Sequence, residues 1–143
     1  MKIVDILGLL FCVQLLSAQV APDTNLSKFN LIPVIKVLKL DSTKVSFRSL
    51  FESNVPIAVM FYNPECDHCQ HELEEMIKNE DKLKAYKFIM VTNRYLYQIK
   101  EFRKKYNLSK YKNFISINES SNSLIRAFGI SGFPSILVFN KSH

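Results

Sequence analysis

Two cysteines three residues apart, Cys66 and Cys69, carry the most chemistry in this chain, within Asn63-Pro64-Glu65-Cys66-Asp67-His68-Cys69-Gln70-His71. The C-x-x-C spacing puts both sulfurs within one helical turn, close enough to close a disulfide and open it again. The flanking residues say where that turn sits. Residues 57–62 form a short apolar run of the kind that makes a buried strand, and Asn63-Pro64 breaks it. Leu73, Met76 and Ile77 then recur at helical spacing. The cysteines therefore fall at a helix N-terminus, where unpaired N–H groups and the positive end of the dipole favour thiolate over thiol. Cys66, nearer that end and more exposed, is the expected nucleophile, and Cys69 the resolving thiol. His68 can donate to the Cys66 sulfur or place a positive charge beside it, while Asp67 and Glu65 act in the opposite sense.

The same residues allow two other chemistries. Cys66, His68, Cys69 and His71 are four soft or borderline metal ligands within six residues. On a helix, however, the two imidazoles do not turn readily toward one ion together with both sulfurs, and zinc sites usually draw ligands from two separated segments. Neither a metal nor another cofactor is expected. An inert local disulfide in a non-catalytic interaction domain is the remaining alternative. A phosphate-cradling glycine loop is excluded, because the chain has only three glycines.

The elements that must position the pair alternate in type. Residues 31–40 are rich in Ile, Val and Leu and read as an early strand, with Pro33 at its start. Residues 41–44 make a turn into Val45 and Phe47. After the helix over 67–78, residues 79–84 read as a polar connector. Residues 86–91 read as the next buried strand, 95–106 as a second helix, and 113–117 as a weak strand. Ser121-Asn122 is suited to cap a small helix whose Leu124, Ile125 and Phe128 face inward, with Gly129 at its end. Residues 135–139 are the last strand. Strand and helix in alternation predict an α/β domain built on a parallel sheet.

Strand, N-P-E-C-D-H-C, then amphipathic helix resembles the active-site segment of the thioredoxin superfamily, and within it the secreted thiol-disulfide oxidoreductases of TlpA/ResA type. Gly129-Ile-Ser-Gly132-Phe133-Pro134-Ser-Ile-Leu-Val-Phe139 extends the resemblance, since a proline stands just before an apolar strand. The resemblance implies a thioredoxin-like α/β fold with a central mixed sheet flanked by helices. It implies that Pro134 follows a cis peptide bond and lies against the cysteine pair, and that Phe133 offers its backbone to an incoming substrate strand. A further strand and a closing helix, usual in the family, are not found after residue 139. The buried acid that such reductases often carry on the active-site strand is replaced by Met60. The Pro-x-x-x-Thr-x-x-Cys arrangement of the peroxide-reducing relatives is absent around Cys66. A histidine between the cysteines resembles strongly oxidising members, whereas the surroundings resemble reductases. Dithiol-disulfide exchange is the expected activity, with the reductase direction favoured.

Length and composition set the frame. One domain fits 143 residues, and a hydrophobic content of 48% allows a sizeable core. Residues 1–18 read as a signal peptide: Lys2, an apolar run over 6–16, and Leu16-Ser17-Ala18 as a small-residue cleavage site. Cys12 would leave with it. Residues 19–30 are then a flexible mature N-terminus and 31–143 the thioredoxin-like domain. The expected place is outside the cytoplasm, periplasmic or in the cell envelope, with secretion or a retained N-terminal anchor as the alternatives and no stable membrane span after cleavage. The expected partners are a disulfide- or dithiol-containing protein substrate and a second redox protein that resets the pair. The formal charge of +6 gathers partly at Lys100, Arg103, Lys104, Lys105, Lys110 and Lys112. Ile99, Phe102 and Tyr106 at helical spacing make that cluster the solvated face of a helix rather than a nucleic-acid site.

Overall fold

The computed structural model describes residues 32–141. The predicted signal peptide, with Cys12, and the mature N-terminus over 19–30 lie outside the described residues. Six strands form one mixed sheet: β1 (Lys36–Lys39), β2 (Lys44–Ser46), β3 (Ile57–Phe61), β4 (Lys87–Thr92), β5 (Phe114–Asn118) and β6 (Ser135–Phe139). Their order across the sheet is β2-β1-β5-β4-β3-β6. The inner pairs β3–β4 and β4–β5 are parallel, and β1–β2, β1–β5 and β3–β6 are antiparallel. The helices are α1 (Asp67–Lys78), α2 (Glu80–Leu83), α3 (Leu96–Lys105) and α4 (Ser123–Ala127), with 3-10 turns at Arg48–Phe51 and Leu108–Lys110. No described helix is long and apolar enough to cross a membrane.

The continuous apolar run of β3 follows from burial on both sheet faces. Ile57, Val59 and Phe61 point into one cluster with Phe47, Phe51, Ile89, Val91 and Ile117. Ala58 and Met60, with Tyr62 just beyond the strand, point into the other, with Cys69, Leu73, Phe88, Met90 and Phe102. All five β3 residues are buried. At about 1.5–3 kcal/mol for each fully buried large side chain, this strand is firmly anchored in the fold. The site grows from its C-terminal end.

Several expectations are corrected in detail. The first strand is four residues rather than ten, because Pro33 has no N–H to give a ladder and β1 is held only where it meets β2 and β5. The connector after α1 is the short helix α2, closed by Leu83 N–H donating to the Asn79 carbonyl at 3.2 Å. With Leu83 its only large apolar residue, it had no periodicity to reveal it. At α4, Asn122 occupies the cap position with φ 57° but its side chain caps nothing. Its Oδ1 accepts instead from Asn93 Nδ2 at 2.9 Å. The buried carboxylate of Glu119 does the capping, accepting from Leu124 N–H and Ser121 N–H at 3.0 Å each and from the Ser121 hydroxyl. Gly129, at φ +64°, ends α4 as expected, in the left-handed region that glycine tolerates.

Arg103 departs from the solvated face assigned to it. Its guanidinium turns inward and donates to the Phe114 carbonyl at 3.1 Å, the Ser116 hydroxyl at 3.0 Å and the Leu108 carbonyl at 3.3 Å. It fastens α3 to β5. Lys100, Lys104 and Lys105 stay exposed, while Ile99 and Phe102 are buried.

Candidate active site

Cys66 is the N-cap of α1, in extended conformation with φ −89° and ψ 118°. The Asn63-Pro64 break creates this position. Asn63 Oδ1 accepts from the Glu65 N–H at 3.1 Å and its carbonyl from the Cys66 N–H at 3.0 Å, which turns the chain from β3 into α1 across residues 62–66. The cap leaves Cys66 partly exposed and puts Cys69, one turn on, fully against the sheet with 0% exposure. Both are thiols in this structure.

The two thiols are held in opposite protonation preferences. A hydrogen bond from the Cys69 thiol, then the backbone N–H of Cys69, lower the Cys66 pKa, with the His68 N–H adding to them. Slight burial and the Asp67 carboxylate oppose the shift. Burial pushes the Cys69 thiol up to about 12, and the Cys66 sulfur adds to that, whereas the Asn63 N–H works the other way. One sulfur is thus prepared as a thiolate and its neighbour as a thiol.

His68 sits between the cysteines but is exposed, and its backbone N–H is what acts on Cys66. His71 is also exposed on α1. Among the described residues, no three Cys, His, Asp or Glu side chains converge as a metal site would require.

The second half of the site comes from the segment before β6. The Phe133–Pro134 peptide bond is cis. The Phe133 carbonyl lies 3.9 Å from Cys66 Sγ, across 67 residues of sequence, so the thiol donates to it. The Ser135 hydroxyl closes the turn onto the Gly132 carbonyl at 2.7 Å. Phe133, whose carbonyl faces Cys66, is 36% exposed. Antiparallel pairing of β6 with β3, Phe61 opposite Ser135, fixes this meeting.

A model of the AhpC/TSA family matches residues 19–143. The chain belongs to the AhpC/TSA family. Its fold is thioredoxin-like, as its structural likenesses show. A thioredoxin-like protein from Porphyromonas gingivalis superposes with a TM-score of 0.65 at 14% identity, over 78% of this chain and 74% of that one. A secreted Mycobacterium tuberculosis disulfide oxidoreductase, described as homologous to E. coli DsbE, gives 0.62 at 19% identity over 84% and 81%. The thioredoxin domain of a thiol-disulfide oxidoreductase from Bacteroides vulgatus gives 0.59 at 22% identity over 78% and 79%. No curated protein sequence gives a significant match.

In this AhpC/TSA chain, further side chains brace the active-site turn that the sequence did not single out. Arg94 Nε donates to Asn63 Oδ1 at 3.3 Å and its Nη2 stands 3.8 Å from Glu65 Oε2. Gln98 Nε2 donates to Glu65 Oε1 at 3.2 Å. Gln70 Nε2 donates to the Pro64 carbonyl at 2.9 Å, and its Oε1 accepts from the Tyr106 hydroxyl at 3.1 Å. Apart from Gln70 and Pro64, six residues apart, these partners lie about thirty residues or more apart in sequence and share no motif. Only the parallel β3–β4 crossover brings them together. Glu65, exposed at the turn, is held by Arg94 and Gln98.

The lowered Cys66 pKa has a measurable consequence. Iodoacetamide labelling of the reduced protein across pH is expected to modify Cys66 first, with a midpoint below the free-thiol value of about 8.5. Asp67→Asn removes an opposing charge and moves that midpoint lower still. A midpoint at or above the free-thiol value would show that the amides and the Cys69 thiol do not stabilise the thiolate.

Proposed function

We propose that this chain is an exported thiol-disulfide oxidoreductase of TlpA/ResA type, with Cys66 as nucleophile and Cys69 as resolving thiol. The observation that carries this reading is the paired geometry. A half-exposed thiol of lowered pKa caps a helix, a buried thiol of raised pKa lies one turn on, and the Phe133 carbonyl faces the first sulfur. The Cys66 thiolate attacks a substrate disulfide, forming a mixed disulfide and releasing one substrate thiolate. Cys69 then attacks the Cys66 sulfur and the second substrate thiolate leaves, taking up the proton Cys69 gives up. The pair is oxidised by two electrons and the substrate reduced by two. A second redox protein returns the pair to the dithiol.

Pro134 and Phe133 border the attack site, and the Phe133 carbonyl is placed to pair with a substrate backbone N–H. The reductase direction is supported by one feature: His68 is exposed on α1, so its side chain gives the reduced thiolate little extra stability. Peroxide reduction is disfavoured, since Val59 and Asn63 stand seven and three residues before Cys66 where the peroxide-reducing pattern has Pro and Thr. The secreted M. tuberculosis likeness supports export.

The test is a redox titration of the reduced and oxidised protein in glutathione buffers at neutral pH, counting alkylated thiols. A single reversible two-electron transition near about −270 mV is expected, well below the value of about −120 mV of a strong oxidant. A pair that fails to titrate reversibly would leave an inert thioredoxin-like interaction domain instead.

A further inference from the structure

The positive charge of this protein is concentrated on α3 and the segments that flank it. Residues 94–112 hold seven of the chain's 19 Lys and Arg residues and a single Glu, a surplus equal to the whole net charge of +6. The rest of the chain is neutral on balance. On α3, Tyr97, Lys100 and Lys104 follow at spacings of three and four and share one outer face. Lys100 and Lys104 have no ion-pair partner among the described residues. With Leu40, Arg103, Asn107 and Ser109 they line a groove of about 280 Å³.

A second feature adjoins this face and does not depend on charge. Tyr95 and Tyr97 are 73% and 61% exposed, with their rings stacked at 6.0 Å and 12°. Large aromatics so far in water are unusual on a surface that binds nothing, and tyrosine is enriched where proteins dock. Their place is fixed against the site: Arg94, next to Tyr95, binds Asn63 and Glu65, and Gln98 bridges Glu65 Oε1 to the Tyr95 N–H at 3.2 and 3.1 Å. The aromatic pair therefore borders the turn that carries Cys66.

We propose that Tyr95, Tyr97 and the Lys100–Lys104 face of α3 dock the protein that exchanges disulfides with Cys66, and that this partner has an acidic surface flanking its cysteines. The proposal rests on the exchange reading above and names its partner class. An acidic partner is drawn toward α3 by this surplus of positive charge. The tyrosines supply the contact area that long-range attraction lacks.

Two synthetic peptides test this, each closed by one disulfide and differing only in whether glutamates or lysines flank it. Hydroxyethyl disulfide serves as a small uncharged reference. The reduced full chain is expected to react with the acidic peptide about tenfold faster than with the basic one at low ionic strength, the difference shrinking at about 150 mM salt. In Lys100→Glu/Lys104→Glu the preference for the acidic peptide, normalised to hydroxyethyl disulfide, is lost or reversed. Tyr97→Ala lowers the acidic-peptide rate at both salt concentrations. Equal rates on the two peptides, or a preference that survives the charge reversal, overturns the docking proposal alone. No reaction even with hydroxyethyl disulfide overturns the exchange reading on which it stands.

Discussion

Cys69→Ser is expected to turn the protein into a trap. Cys66 still attacks a disulfide, but no second sulfur stands behind it to release the product, so mixed disulfides accumulate and survive non-reducing electrophoresis. Resolution then depends on external thiol at about 1 mM. A tethered, pre-aligned thiol acts at an effective concentration of at least about 1 M, so turnover falls by about 10³-fold or more. Cys66→Ser has a different outcome, with no adduct and no turnover, because the remaining Cys69 is buried and its thiol pushed up to about 12. The contrast assigns the roles. Equal trapping by both variants would contradict the order of attack, and full turnover in Cys69→Ser would remove Cys69 from the chemistry.

Leu73→Ala is expected to give the largest loss of stability among changes near the site. Leu73 has 0% exposure, lies one turn beyond Cys69 on α1, and packs with Ala58, Met60, Met76 and Met90 in the cluster beneath it. Removing its branched end leaves a cavity that the β3–β4 floor, buried on both faces, is too well anchored to fill. A loss of about 3 kcal/mol follows, read as a drop in the urea midpoint of roughly 2 M. Leu73→Met keeps the volume and costs less than about 1.5 kcal/mol. Since Leu73 and Met76 seat the helix that covers Cys69, local opening becomes cheaper too. In a Cys66→Ser background, native-state alkylation of Cys69 is expected to speed up by as much as about 10²-fold. Unchanged protection would mean that Cys69 is shielded by something other than the seating of α1.

Both predictions come from the same division of labour between strand and helix. β3 delivers the chain to the turn with little freedom, Asn63-Pro64 stops the strand, and α1 begins on a cysteine rather than on Ser, Thr or Asp. The usual cap residues would satisfy the N–H groups themselves. Here those amides are left to a sulfur, which is why the Cys66 thiolate gains from them.

The sequence by itself determined whatever depends on neighbours in the chain. The apolar run of β3, the Asn-Pro break, the C-x-x-C spacing and the period of α1 are local patterns with local causes, and the strand, turn and helix that carry Cys66 and Cys69 were legible for that reason. Gly129 and β6 were legible for the same reason. The cis bond before Pro134 was reached only through resemblance, because no local energy requires it. What remained was decided by tertiary structure, and each case turns on a partner far along the chain. Glu119 rather than Ser121 or Asn122 caps α4, because Asn93 takes the Asn122 side chain. Arg103 leaves the basic face for β5, where three acceptors meet it. Glu65 is held by Arg94 and Gln98, and the Phe133 carbonyl reaches Cys66 only because β6 runs antiparallel beside β3. Hydrogen bonds and burial across a sheet depend on register and strand order, and no short window of residues carries that information.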